Sequence, residues 1–108
     1  MSQDKALMSL LPPHRLYDYR VHHPGTFLEC HQARVVFDNG YTVSVIRGFG
    51  TFGAERGLFE VGVMDTESDR LVQMPVADYA GDTIAGYLTV EEVVDLLHKV
   101  AALPHREL

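Results

Sequence analysis

Gly48, Gly50 and Gly53 spell G-x-G-x-x-G in the run Gly48-Phe49-Gly50-Thr51-Phe52-Gly53. Glycines at this spacing let backbone amides come close to phosphate, which is why nucleotide sites use them. The dinucleotide fingerprint, however, opens a helix after a strand, and the run that follows here alternates as another strand. A phosphate loop between two strands, as in kinases, needs a lysine on the second strand. Leu58 to Met64 has none. The plainer reading is stronger: a β-connection whose glycines relieve crowding and whose Phe49 and Phe52 meet the core or a partner.

His22, His23, Cys30 and His31 are donors that zinc accepts, yet His-His-x6-Cys-His matches no standard ligand spacing. Neighbours on an extended chain point to opposite sides, so each pair offers one donor more readily than two. Cys30 beside His31 raises a thiol nucleophile, which needs a base in hydrogen-bond reach, held by a third group. Sequence neighbours seldom supply that geometry, and a lone cysteine is more often a small buried apolar residue. Glu91, Glu92 and Asp95 belong to an exposed helix face, with Asp95 and Lys99 spaced as a surface pair. Asp18-Tyr19-Arg20, with Arg15 and Tyr17, mixes aromatic and basic residues. That composition suits a binding hot spot, or a segment laid against the domain's own sheet. The candidate ligand- or partner-binding residues are therefore Gly48, Phe49, Gly50, Phe52, Gly53, Tyr17, Tyr19 and Arg20. No catalytic residue, metal ligand or cofactor is nominated.

The elements that must position these residues follow from periodicity. Ala33 to Phe37 and Tyr41 to Ile46 flank Asp38-Asn39-Gly40, a strong hairpin signal because Asn and Gly tolerate positive φ. A two-residue turn would pair Phe37 with Thr42 and Val35 with Ser44. A three-residue loop with Gly40 in the left-handed bulge position pairs Phe37 with Tyr41, Val35 with Val43 and Ala33 with Val45. The second gives one continuous apolar face and is the expected register. Leu58 to Met64 reads as a third strand, with Phe59, Val61 and Val63 on one face, and Arg70 to Met74 as a returning fourth before Pro75. Thr89 and Glu92 form a capping box, and Val90, Val93, Val94, Leu96, Leu97, Val100 and Ala101 share one helical face that Pro104 ends.

The expected fold is α+β: an antiparallel β meander of three to four strands packed on a C-terminal amphipathic helix. A single domain, 1–108, divides into an irregular or short-helix segment (1–32), the meander (33–74) and the helix (89–103). Within the first part, 4–11 reads as a short helix and 14–31 as extended or looping chain. Residues 76–88 read as loop around a short apolar stretch, because Gly81 and Gly86 interrupt it. The sheet face away from the helix carries Val36, Ile46, Leu58 and Met64, diluted by Arg34, Thr42, Ser44 and Glu60. Leaving that face wet is unusual for a monomer, so Leu16, Tyr17, Tyr19 and Phe27, a second copy, or both should cover it.

Composition narrows the partners. The chain has 108 residues, 46% hydrophobic and 9% aromatic, which suits a globular domain and excludes a disordered one. Nine Lys and Arg against a net charge of −6 disfavour generic nucleic-acid binding and favour docking on a basic protein surface. The one cysteine excludes an internal disulfide and fits a reducing cytoplasm, and no apolar run is long enough to span a membrane.

Asn39 to Ile46, the Gly48–Gly53 loop, Gly57 to Asp65, and the closing Gly86-Tyr87-Leu88-Thr89-Val90-Glu91-Glu92-Val93 together resemble small proteins encoded by bacteriophages and prophages, over residues 38–100. The resemblance implies a phage-type accessory protein in a bacterial host cytoplasm and transfers no catalytic residue. The functional expectation is a non-enzymatic homodimer that binds, and inhibits, a host protein in an anti-defence role. The alternative is a protein that sequesters a small nucleotide-like signal in the glycine loop.

Overall fold

A computed structural model describes residues 11–51, 56–76 and 83–106. Among the described residues, six strands make one antiparallel sheet: β1 (Leu16–His22), β2 (Cys30–Val36), β3 (Tyr41–Gly48), β4 (Phe59–Asp65), β5 (Arg70–Leu71) and β6 (Ile84–Leu88). They follow the order β1-β2-β3-β4, and β5 and β6 share the outer edge of β4. The helix α1 (Val90–Ala101) follows β6. The class is the expected α+β, with more strands than the three or four that the periodicity gives.

The central hairpin has the bulged register. Val35 pairs with Val43 and Ala33 with Val45, while the Phe37 amide donates to the Tyr41 carbonyl at 2.9 Å. Gly40 takes φ +91°, the conformation that lets the loop close. Ala33, Val35, Phe37, Val43, Val45, Val61 and Val63 line one face of the sheet, none more than 4% exposed.

Helix α1 lies on that face. Thr89 Oγ1 accepts from the Glu92 amide, and the Glu92 carboxylate accepts from the Thr89 amide, so both halves of the capping box are present. Val93, Leu96, Leu97 and Val100 are at most 1% exposed. Burial of each contributes roughly 1.5–3 kcal/mol relative to exposure. Val90 stays 37% exposed, at the edge of the stripe. Met74, Val76, Ala85 and Leu88 also belong to this core.

Three expectations need correction. Within 1–32, Leu16–His22 is a regular strand beside β2, and β2 itself begins at Cys30, so part of that stretch is regular sheet. The fourth strand stops at Leu71, because Val72 to Val76 turn inward to deliver Met74 and Val76 to the core. Ile84–Leu88 is a strand where the glycines suggested loop; the pairing shifts by a residue between Phe59 and Val61, and Tyr87 takes φ +60°. That extra residue is a β-bulge, which breaks the alternation a sequence would show. The proposed short helix at 4–11 lies outside the described residues, apart from Leu11, which packs against the core.

The residues expected to cover the second face from within the chain lie elsewhere. Leu16–His22 does not fold across it but extends the sheet as β1. Tyr17 and Tyr19 sit on the helix side, while Phe27 is 85% exposed. Thr42 is nevertheless only 1% exposed, Ser44 9% and Glu60 8%. Side chains of the sheet and its turns give part of this cover. Arg34 reaches Asp69 across this face at 2.5 Å, and Leu71 lies so close over Gly62 that a Cβ there would come within 2.7 Å of it.

Candidate partner-docking site

Two connections meet at one end of the sheet: the 23–29 loop between β1 and β2, and the glycine loop that leaves β3. The first is built from its own polar groups. Thr26 Oγ1 donates to the His23 carbonyl at 2.8 Å and accepts from the Leu28 amide at 3.1 Å. The Gly25 amide donates to Glu29 Oε1 at 2.8 Å, and positive φ at His23 and Gly25 lets the chain reverse.

The second loop is stitched to the first. At Gly48, φ is +143°, and a Cβ would lie 2.5 Å from both Cys30 Cα and the Glu29 carbonyl, so only glycine fits. The next amide, of Phe49, donates to that Glu29 carbonyl at 3.1 Å. Thr51 then closes the turn: its hydroxyl donates to the Gly48 carbonyl at 2.7 Å and accepts from the Gly48 amide at 3.0 Å, while its own amide donates to the same carbonyl.

This stitching has two consequences. The amides of Gly48, Phe49 and Thr51 are engaged inside the protein, so these three donors are already used. The loops also bring Phe27 and Phe49 into an edge-on pair, ring centroids 6.1 Å apart at 87°. Both rings are exposed, Phe27 by 85% and Phe49 by 60%. Edge-to-face packing holds the two rings in a defined orientation without burying them.

A chain of hydrogen bonds supports this end. Tyr19 Oη lies 2.5 Å from His31 Nδ1, and His31 Nε2 lies 2.7 Å from Glu29 Oε2. With its proton on Nε2, His31 donates to Glu29 and accepts from Tyr19. The Gly25 amide and then the His31 side chain hold the Glu29 carboxyl below the usual glutamate range. On the same face, the Arg47 guanidinium lies 5.1 Å from the Phe59 ring centre.

Of the residues nominated from sequence, Gly48, Phe49 and Gly50 therefore stand at this end, and Tyr19 joins them through His31. Phe52 and Gly53 lie outside the described residues. The Tyr17, Tyr19 and Arg20 patch does not form. The tyrosines pack against the core on the helix side, while Arg20 lies on the other face, paired with Asp18 at 2.8 Å. Phe27 is the residue that sequence reasoning misplaced. Its signal was a large aromatic inside a Pro-Gly turn stretch, where packing gives it no reason to be.

The histidines and the cysteine do not converge. Cys30 pairs with His22 and Gly48 across the strands, on the opposite face from His31, so thiol and imidazole are divided by the sheet. Burial, and then the charge of Glu60, push the Cys30 thiol up, away from the thiolate that a nucleophile requires. His22 Nε2 is 3.0 Å from Gln32 Oε1. Among the described residues no three His, Cys, Asp or Glu side chains are grouped to hold a metal, and no helix is long and apolar enough to cross a membrane.

At the opposite end of the sheet, a cleft of about 310 Å³ lies between the β2–β3 turn and the C-terminal tail. Within it, Arg106 stands 3.4 Å from Asp65 and 5.7 Å from the Tyr41 ring centre. Compared with protein-family models, with curated proteins and with solved structures, the chain matches none.

Proposed function

We propose that this protein is a non-enzymatic, phage-type accessory module that binds, and thereby inhibits, a host protein through the Phe27–Phe49 end of its sheet. The observation that carries this reading is the aromatic pair itself. Two phenylalanines are held edge-on in solvent by loops bonded to each other and to the sheet. Such an anchor is preorganised: little side-chain freedom remains to be lost when a partner closes over it. Aromatic anchors of this kind dominate protein interfaces. The net charge of −6 favours a partner with a basic rim around an apolar pocket. The resemblance to small phage and prophage proteins supplies the context, a bacterial host protein met in the cytoplasm.

The test is affinity capture from bacterial lysate with the wild-type chain and with a Phe27→Asp/Phe49→Asp double variant of unchanged circular dichroism. A protein retained in stoichiometric amount by the first and lost by the second is the expected result. The same proteins retained by both chains would contradict the reading.

A further inference from the structure

We propose that Asn39–Gly40 is a self-modification site. Asn39 deamidates through the Gly40 amide, the end of α1 sets the rate, and the product releases that end. The nucleophile is in place. Gly40 has no side chain to crowd its nitrogen, and among the described residues its amide donates to no other group. Its carbonyl is held instead, accepting from the Thr66 amide at 2.9 Å. Asn39 is half-buried, so water reaches the site.

The reaction balances with water as the one co-reactant. The Gly40 nitrogen attacks Asn39 Cγ and a C–N bond forms. The Cγ–Nδ2 bond breaks, and the Gly40 amide proton leaves with Nδ2 as ammonia. Water then opens the cyclic imide at either carbonyl. Opening at Cγ leaves aspartate. Opening at the backbone carbonyl leaves isoaspartate, in which the chain runs through Cβ and Cγ.

The contact that holds the reaction back is the one it destroys. Attack requires Cγ to swing toward the Gly40 nitrogen. In the structure both atoms on Cγ are tied: Nδ2 to the Val100 carbonyl at 2.8 Å and the Leu103 carbonyl at 3.2 Å, and Oδ1 to the Tyr41 amide at 3.2 Å. The closed end of α1 is therefore a guard, and reaction proceeds from molecules in which that end has locally opened.

Once Nδ2 has left, the guard cannot return. A carboxylate has no hydrogen to donate, and it sets negative charge against the carbonyls at the negative end of the helix. Isoaspartate also lengthens the loop on which the Val35–Val43 register depends. The Arg106 amide donates to the Asn39 carbonyl at 2.7 Å, and Arg106 Cβ stands 3.1 Å from where a Gly40 Cβ would lie. Loss of the cap therefore loosens the 102–106 tail, and with it a wall of the cleft that Gly40 and Arg106 share. The change runs one way.

Peptide mass mapping of the full chain, kept in mildly alkaline buffer with and without denaturing urea, tests this. Deamidation should appear at Asn39, severalfold slower in the folded chain than in urea. Leu103→Ala removes packing at the end of α1 but keeps its carbonyls. It should speed the folded-state reaction severalfold and leave the rate in urea unchanged. If that variant fails to fold, Arg106→Ala takes its place, removing the tail's contacts with Asp65 and Tyr41. Deamidated wild type, separated by its added charge, should exchange the Arg106 amide hydrogen faster than the unreacted chain. A folded chain left intact at Asn39, equal rates folded and unfolded, or a variant no faster than wild type overturns the proposal. So does a deamidated chain whose Arg106 exchange is unchanged. No residue of the Phe27–Phe49 end takes part, so the outcome is separate from that of the docking reading.

Discussion

Asn39 Nδ2 donates to the Val100 carbonyl at 2.8 Å, tying the β2–β3 turn to the end of helix α1. The same amide group reaches the Leu103 carbonyl at 3.2 Å, and Asn39 Oδ1 accepts from the Tyr41 amide at 3.2 Å. The Asn39 carbonyl in turn accepts from the Arg106 amide at 2.7 Å. One side chain therefore shapes a hairpin and caps a helix C-terminus, where carbonyls otherwise lack partners.

Asn39→Asp keeps the turn acceptor but removes the donor and adds negative charge at the negative end of the helix. It should cost about 1–3 kcal/mol, more than Asn39→Ala, measured from urea midpoints. An aspartate variant as stable as wild type would show that the cap contributes nothing.

Leu97 is fully buried between α1 and the sheet. Leu97→Ala should destabilise by roughly 2–5 kcal/mol. A loss under about half a kcal/mol would mean that the helix packs elsewhere, against a typical core truncation.

Gly48 and Gly50 both take positive φ, but only Gly48 is crowded, by Cys30 and the Glu29 carbonyl; nothing lies near a Cβ at Gly50. Gly50→Ala should carry backbone strain alone, about 1–3 kcal/mol. Gly48→Ala must also part the two loops, so it should lower the melting temperature further and weaken partner capture. Equal effects from the two substitutions would show that the loop contact is not what fixes this end.

The depressed Glu29 carboxyl gives a signed pH dependence. A group held below its unfolded value, 4.5 for glutamate, contributes stability that is fully present above that value. The contribution is lost as pH falls through the lower folded value. Glu29→Gln removes it, so the melting temperatures of wild type and variant should differ near neutrality and converge on acidification below 4.5. A constant difference across that range would assign the effect to something other than Glu29 ionisation.

The elements that were legible in the sequence are those whose signals are local. Asn39-Gly40 between β-rich runs, combined with the demand for one apolar face, is enough for the hairpin register. Thr89 and Glu92 with a heptad-like apolar stripe are enough for the helix. β1 was not read as a strand, only as extended or looping chain, although Tyr17, Tyr19 and Val21 fall on one face and Asp18, Arg20 and His22 on the other. The mixture of aromatic, charged and histidine residues hides that period. β6 was not legible, because the bulge at Tyr87 interrupts the alternation. The docking end was half legible. The glycines pointed to a loop worth attention, yet the partner of Phe49 is Phe27, on another connection, and nothing in the sequence joins them. The Asn39 cap, likewise, spans 61 positions.

The central claim is that the Phe27–Phe49 end meets the partner, and site-specific photocrosslinking in bacterial lysate tests it most directly. A benzophenone amino acid placed at Phe49 should yield one discrete crosslinked species. The same group at Ser68, in the turn after β4 beside the cleft at the other end, should yield none. A species formed equally from both positions, or from Ser68 alone, would contradict the account.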